Sequence, residues 1–145
     1  MGMPMGPTIH HEDLFFGFTS PRDLLEKARR ELERFKAAPS SDHAFNFFVT
    51  VYHIRDWAKA QGVPVAQLDA DPDFELCRLA CNQGKHFRLT GGTLTRSVER
   101  HYESHQDMAY SGAEEYAVLA DDTRIDVVCL GNRVLEKIAV LLAEP

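Results

Sequence analysis

The feature that most constrains the fold is a segment in the first half of the chain that is apolar on nearly every side of a helix. It predicts a helix that begins near Ser41 or Asp42 and runs to about Gln61. Gly62 and Pro64 follow, and both residue types end helices. A helix of this kind lies inside a bundle and not on its surface. The pattern is carried by Ala44, Phe45, Phe47, Phe48, Val49, Val51, Tyr52, Ile54 and Trp57.

Two further helices are marked by their first residues. Ser20 is a natural N-cap, with Pro21 at the first helical position and Asp23 where a capping-box acid belongs. Asp71 and Pro72 form a similar start. An apolar stripe at helical spacing follows each start: Leu25, Ala28, Leu32 and Phe35 in one helix, and Phe74, Cys77 and Cys81 in the other.

The end of the chain predicts a β-hairpin followed by a helix. The runs 115–120 and 124–130 are rich in strand-forming residues, and residues 121–123 form the turn between them. A helix from about Arg133 to Ala143 completes a mainly α fold, a bundle of four main helices with one β-hairpin before the last helix. A short helical turn is expected over Val65–Leu68, whereas residues 88–110 are compatible with strand, exposed helix or a mobile excursion. The expected core includes Leu25, Leu32, Phe45, Phe48, Val51, Leu76, Leu79, Leu135, Ile138 and Leu142.

The length of 145 residues fits one domain, expected over residues 20–145. Residues 1–19 are expected to form a flexible tail whose aromatic cluster, Leu14, Phe15, Phe16 and Phe18, packs against the bundle end. The formal charge of −6 lacks the general field that draws proteins to DNA or anionic membranes, although a local basic groove remains compatible with it. No transmembrane run or signal-peptide pattern is present, so we expect a cytoplasmic protein with no membrane partner.

The three cysteines, Cys77, Cys81 and Cys129, each lie in an apolar run and predict buried, reduced thiols. No second pair of thiols faces Cys77 and Cys81, which argues against a zinc site. His101 and His105 would stand at i, i+4 on a helix, but two ligands do not make a closed site. The sequence therefore predicts no metal and no cofactor.

The central helix carries a polar stripe on one side. Asn46, Thr50, His53 and Trp57 recur at i, i+4, i+7 and i+11, and Asp56 is placed to reach His53. Buried polar groups need partners, so one interpretation is a structural hydrogen-bond network. The other interpretation is one wall of a site, in which Asn46, Thr50 and Asp56 bind substrate.

A second candidate constellation is the segment 81–86, late in the helix that follows Asp71. His86 is suited to move a proton near neutral pH, and Lys85 to hold a phosphate or stabilise the charge of a phosphorane. Metal-independent RNA cleavage requires proton transfer and a cation at the phosphate. His86 and Lys85 could supply these, with His53 or Asn82 assisting. A Lys-His pair at a helix end also stabilises the last carbonyls and the helix dipole, which is the structural alternative.

These segments carry a resemblance. The chain resembles a bacterial helical family of no established activity with an AFNFFVT-His-DW segment, here Ala44–Trp57, and an N-x-x-K-H-F segment, here Asn82–Phe87. It is also similar, more remotely, to the HEPN superfamily of small helical bundles. Many members of that superfamily are ribonucleases of toxin–antitoxin and phage-defence systems. Their motif is an Arg, often followed by a polar residue, and then a His a few residues later.

The resemblance implies a HEPN-like bundle and a homodimer. It also implies an RNA-binding protein or a metal-independent endoribonuclease of a defence or toxin–antitoxin type system. Asn82 matches the polar position of the motif and His86 its histidine, but Cys81 occupies the arginine position. Either Lys85 substitutes for that cation, or the chain is an inactive relative. The alternative function is a non-catalytic interaction or scaffold protein, with a partner protein in place of RNA and a polar cluster that is structural.

Overall fold

A computed structural model describes residues 15–86, 97–100, 116–120 and 123–143, with side chains described over 15–83, 116–119 and 124–143. The described part is mainly helical, as predicted, and the small antiparallel sheet before the last helix contains the predicted hairpin together with one further strand. The elements in chain order are α1 (Pro21–Ala37), α2 (Ser41–Ala60), α3 (Ala66–Asp69), α4 (Pro72–His86), β1 (Ser97–Arg100), β2 (Tyr116–Ala120), β3 (Thr123–Asp126) and α5 (Val127–Ala143).

The predicted helix starts are confirmed by their capping bonds. The Ser20 hydroxyl accepts a hydrogen bond from the Asp23 amide at 3.3 Å, and the Asp23 carboxylate accepts from the Ser20 amide at 3.1 Å, completing the capping box. A hydrogen bond from the Thr19 amide is the main cause that holds the pKa of Asp23 below its ordinary value. The Asp71 carboxylate caps α4 through the amides of residues 73 and 74, and Ser40 caps α2.

Helix α2 lies at the centre of the core. Its buried face is formed by Phe47, Val51, Ile54 and Ala58, at i, i+4, i+7 and i+11, and it packs mainly against α1 and α4. Phe45 was predicted to belong to the core, and this is wrong, because its side chain is 45% exposed. Two residues before Phe47 on a helix means a rotation of about 200°, which turns Phe45 away from the buried face.

The remaining predicted core residues pack as expected. Leu25, Leu32, Phe48, Val51, Leu79, Leu135 and Ile138 are buried, and Leu76 and Leu142 are partly buried against the core. Helix α5 approaches the core closely at Gly131, where an added Cβ would lie 3.0 Å from both Leu32 and Phe47 side-chain atoms. A glycine at this position therefore lets α5 contact α1 and α2 directly.

The three strands form one antiparallel sheet in the order β1-β2-β3. Strand β1 falls in the stretch 88–110 whose conformation the sequence left open. The sheet packs at the end of the bundle where α1 ends, since the Tyr116 ring meets the Phe35 ring edge-on with centroids 5.2 Å apart. The β2–β3 pairing confirms the predicted hairpin, with Ala120 opposite Thr123.

The boundary between hairpin and last helix differs from the prediction. The second strand was expected over 124–130 and the helix from about Arg133, but β3 ends at Asp126 and α5 begins at Val127. The Asp126 carboxylate accepts a hydrogen bond from the Cys129 amide at 2.8 Å, which caps α5 at this earlier position. As a result Cys129 is exposed, in contrast to the expectation that all three thiols are buried.

The opposite end of the bundle joins the start of α1 to the ends of α2 and α5. The Gln61 side chain donates to the Thr19 carbonyl at 3.2 Å, and Arg22 donates to the Leu142 carbonyl at 3.0 Å. Of the aromatic cluster expected to pack here, Phe18 contacts the core while Phe15 and Phe16 are exposed, and residues 1–14 lie outside the described part. Within that part, every helix is too short or too polar to cross a membrane.

Candidate functional site

Thr50 is the buried member of the predicted polar stripe on α2, with 6% of its surface exposed. Its hydroxyl donates to the Asn46 carbonyl at 2.9 Å and accepts from the Lys27 ammonium at 3.0 Å. Both the donor and the acceptor function of the hydroxyl are therefore used inside the protein. The Lys27 bond ties α1 to α2.

Lys27 also pairs with a buried carboxylate that sequence reasoning missed. Its ammonium lies 2.8 Å from Glu31, which is only 6% exposed, and Arg34 approaches the same carboxylate at 3.4 Å. A buried carboxylate is costly unless cations and hydrogen bonds compensate it, and here both are present. The i, i+4 spacing of Lys27 and Glu31 is visible in the sequence, but the burial that makes the pair important is not.

His53 is half-buried, and its Nδ1 lies 2.7 Å from the Val49 carbonyl of the same helix. Because a carbonyl only accepts, this contact assigns the proton to Nδ1. The expected contact between His53 and Asp56 is not formed. Asp56 is exposed, and its carboxylate instead lies 3.4 Å from the guanidinium of Arg55.

The predicted substrate-binding residues of α2 differ in burial and are spread along the helix. Asn46 and Asp56 are both exposed, and ten residues along a helix separate them by about 15 Å. Thr50 lies between them but is buried against Lys27. These three side chains therefore do not form a wall against which a single small substrate could lie.

Of the predicted catalytic residues of α4, only Asn82 has a described side chain. Asn82 is partly buried, and in the described part of the chain it makes no hydrogen bond to His53 or Asn46. The side chains of Lys85 and His86 lie outside the described residues, as do His101 and His105. Helices α2 and α4 do pack together, with the Tyr52 and Phe74 rings 6.0 Å apart.

The arginine position of the resembled motif is occupied by a core residue. Cys81 is 1% exposed, and Cys77, one turn earlier, is fully buried. Burial raises the pKa of the Cys77 thiol well above its ordinary value, so this sulfur stays protonated and is a poor nucleophile or metal ligand. Among the described residues, no group of three or more His, Cys, Asp or Glu side chains is arranged to hold a metal ion.

A charged cluster that sequence reasoning also missed lies between the start of α4 and α5. The Asp73 carboxylate is 3% exposed, accepts two hydrogen bonds from Arg133 at 2.6 and 3.1 Å, and accepts one from Lys137 at 2.8 Å. Lys137 also pairs with Asp71 at 2.8 Å. The sequence shows Arg133 and Lys137 one turn apart but contains no signal that Asp73, 60 residues earlier, is their partner.

Comparison with known proteins finds no family model, no curated protein and no solved structure that matches this chain. The described part of the chain is mainly helical with one small antiparallel sheet.

Proposed function

We propose that this protein is a non-catalytic interaction or scaffold protein, in which the polar stripe of α2 stabilises the bundle. The observation that carries the proposal is that Thr50 uses its hydrogen-bonding capacity inside the fold and His53 Nδ1 bonds its own helix. Asn46 and Asp56, which would complete a site, are separated along the helix surface. A side chain whose polar atoms are already paired has little left to offer a substrate.

The RNA-acting hypothesis rests on the resemblance to HEPN proteins, through Asn82 and His86. Two observations oppose it. Cys81, at the position where the motif has its cation, is buried in the hydrophobic core and carries no positive charge. The formal charge of −6 gives RNA no general attraction. RNA cleavage is therefore the competing outcome of the experiment.

The experiment combines an unfolding measurement with a cleavage assay. Thr50→Val removes a buried hydroxyl of the Lys27 contact without changing the shape of the side chain, so we expect it to lower the free energy of unfolding by about 1–2 kcal/mol. Asn46→Ala, at an exposed position of the same stripe, is the matched control and is expected to change it by less than about 0.5 kcal/mol. Urea unfolding of both variants measures this difference.

The cleavage arm uses the full chain and a mixed single-stranded RNA, with and without EDTA. We expect no cleavage by the parent protein. Cleavage that persists in EDTA and is lost in His86→Ala, with the unfolding midpoint unchanged, would contradict the proposal and establish the ribonuclease. If Thr50→Val is as stable as the parent, the polar stripe does not stabilise the bundle and the proposal is contradicted.

A further inference from the structure

Helix α1 carries a row of cations on the side that meets α2. Lys27, Arg30 and Arg34 are spaced three and four residues apart, so they lie on one side of the helix over about two turns. The hydrogen bond from the Lys27 ammonium to the Thr50 hydroxyl, 3.0 Å long, fixes this side of α1 against α2. We call Lys27, Arg30 and Arg34 the basic row.

The basic row carries more positive charge than the protein neutralises. Lys27 and Arg34 share one carboxylate, that of Glu31, which is buried, while the side chain of Arg34 is 54% exposed. Arg30 is exposed and has no ion-pair partner among the residues that the structure describes. Three cations therefore share a single carboxylate, and two positive charges remain in excess at the surface.

The other carboxylates of α1 do not neutralise this excess. Each of them already has a partner: Asp23 bonds the turn before the helix, Glu26 pairs with Arg29, and Glu33 pairs with Lys36. On α2, Asp42 is exposed and lies one turn before Asn46, so the surface that could attract carboxylates ends there. The charge of the basic row is therefore available to an acidic ligand.

An exposed apolar pair lies on α2 beside the basic row. Phe45 is partly exposed to water, as is Val49 one turn later. Val49 directly precedes Thr50, the residue that Lys27 bonds, so the pair lies next to the contact between the two helices. Because α1 and α2 are joined only by residues 38–40 and pack side by side, the cations and the apolar pair belong to one surface.

We propose that this surface binds an acidic amphipathic helix of a partner protein. Its carboxylates pair with the basic row, and its apolar side chains cover Phe45 and Val49. Carboxylates at positions i, i+3 and i+7 of such a helix repeat the spacing of the basic row. Arginine and carboxylate form two parallel hydrogen bonds, which adds geometric specificity to the charge attraction. A helix that lays its apolar side into a groove is a common mode of peptide recognition.

The size of the charge excess favours a protein partner over a nucleic acid. One nucleic-acid strand carries a charge about every 3.4 Å, and its binding depends on several phosphate contacts, so two excess cations neutralise little of it. An amphipathic helix needs only a few carboxylates, because its apolar side chains contribute the rest of the contact. This inference rests on the proposed interaction function, since it names the kind of partner and the surface that binds it.

The test uses a synthetic peptide of about 16 residues that places glutamate and leucine in two neighbouring rows of one helix. A peptide of the same composition in scrambled order is the comparison. Fluorescence anisotropy of each labelled peptide measures its binding to the full chain. We expect saturable binding of the amphipathic peptide and binding of the scrambled peptide that is weaker by about fivefold or more.

Arg30→Glu reverses one charge of the basic row and is expected to weaken peptide binding about tenfold. The unfolding midpoint should stay unchanged, because Arg30 is exposed and unpaired within the described part of the chain. Arg29→Glu is the matched control, since it makes the same change in net charge at the next residue, where α1 borders a groove against α5. It is expected to change binding by less than about twofold. Phe45→Ser removes the exposed ring and is expected to weaken binding about fivefold.

Three results would overturn the inference. The parent protein could show no saturable binding of the amphipathic peptide, or Arg29→Glu and Arg30→Glu could weaken binding equally, which would leave only an effect of net charge. A mixed single-stranded RNA could also bind more tightly than the peptide and be released by Arg30→Glu, which would assign the surface to nucleic acid. None of these results depends on RNA cleavage or on the stability of Thr50→Val, so failure of this inference is distinguishable from failure of the proposed function.

Discussion

Asp73 shows at the scale of one residue how this bundle holds a charge in its interior. Burial by itself would raise the pKa of Asp73, but hydrogen bonds from Lys137 and Arg133 outweigh it and hold the pKa below its ordinary value. Both cations remain partly exposed, so the cost of removing them from water is small. The contact fastens α5 to the start of α4.

We expect Asp73→Asn to lower the free energy of unfolding by about 2 kcal/mol at pH 7, because it removes the charge that two cations surround. The folded-state pKa lies below the unfolded value of about 3.9, so the carboxylate stabilises the fold above that pH. The contribution of the Asp73 carboxylate to stability is lost as the pH falls through its lower folded-state pKa. The difference between parent and variant should therefore shrink below about pH 4.

Urea unfolding at pH 7 and at pH 3 measures this difference. Asp56→Asn is the control, since Asp56 is exposed and its carboxylate lies 3.4 Å from Arg55. It is expected to change stability by less than about 0.5 kcal/mol at either pH. A gap between Asp73→Asn and the parent that stays constant down to pH 3 would refute the role given to the carboxylate.

At the level of an element, the start of α5 depends on the cap at Asp126 and on burial of its first turn. Residues 127–130 are β-prone and follow a strand, so their local preference is to continue β3. The Asp126 carboxylate accepts the Cys129 amide, and Val127 and Leu130 become buried on the inner face of the helix. Capping and burial together outweigh the local preference for strand.

Asp126→Ala is expected to cost about 1 kcal/mol of stability, because an amide at the start of α5 loses its acceptor. Asp126→Asn retains an acceptor oxygen at the same position and is expected to lose much less. Thermal melts of the two variants compare them directly. Equal losses would show that the charge of Asp126, and not its capping bond, sets the stability of this boundary.

At the scale of the whole molecule, one hydrophobic cluster connects the main elements. It draws buried residues from all five helices and from β2 and β3. Leu32 of α1 and Phe47 of α2 meet at Gly131 of α5, so three helices share one contact point. Among the described residues, no pair of helices forms a hydrophobic core separate from this cluster. This arrangement favours unfolding as a single cooperative unit.

Unfolding is therefore expected to be two-state. Trp57, the single tryptophan, packs partly buried against the core and reports on tertiary structure, while circular dichroism reports on the helices. The urea midpoints from the two signals are expected to coincide. A fluorescence change that precedes the loss of helix would show that α2 loses its packing before the bundle unfolds.

The predictions that succeeded rest on short-range chemistry. The capping residues Ser20 and Asp71 act on amides two or three residues away, and an apolar stripe at helical spacing defines a buried face by itself. The β2–β3 hairpin likewise depends on two strand-forming segments that are neighbours in the sequence. The type and approximate bounds of most elements, though not of β1 or of residues 127–130, and most of the core could therefore be read from the sequence.

The candidate site could be predicted only as a set of polar residues. The sequence placed Asn46, Thr50 and His53 on one side of α2, but their partners decide whether they are structural or functional. Lys27, which bonds Thr50, lies 23 residues earlier in the chain. No periodic pattern encodes a contact of that kind.

Local sequence patterns were enough to predict most of the helices, where most of them begin and which side chains are apolar enough to be buried. Three features could be seen only in the folded chain: Phe45 faces water, helix replaces strand at Val127, and Asp73 meets Arg133. The two groups differ in the distance over which the interactions act. Caps and periodic stripes act within about one helical turn, whereas burial and charge pairing depend on which distant segments the folded chain brings together.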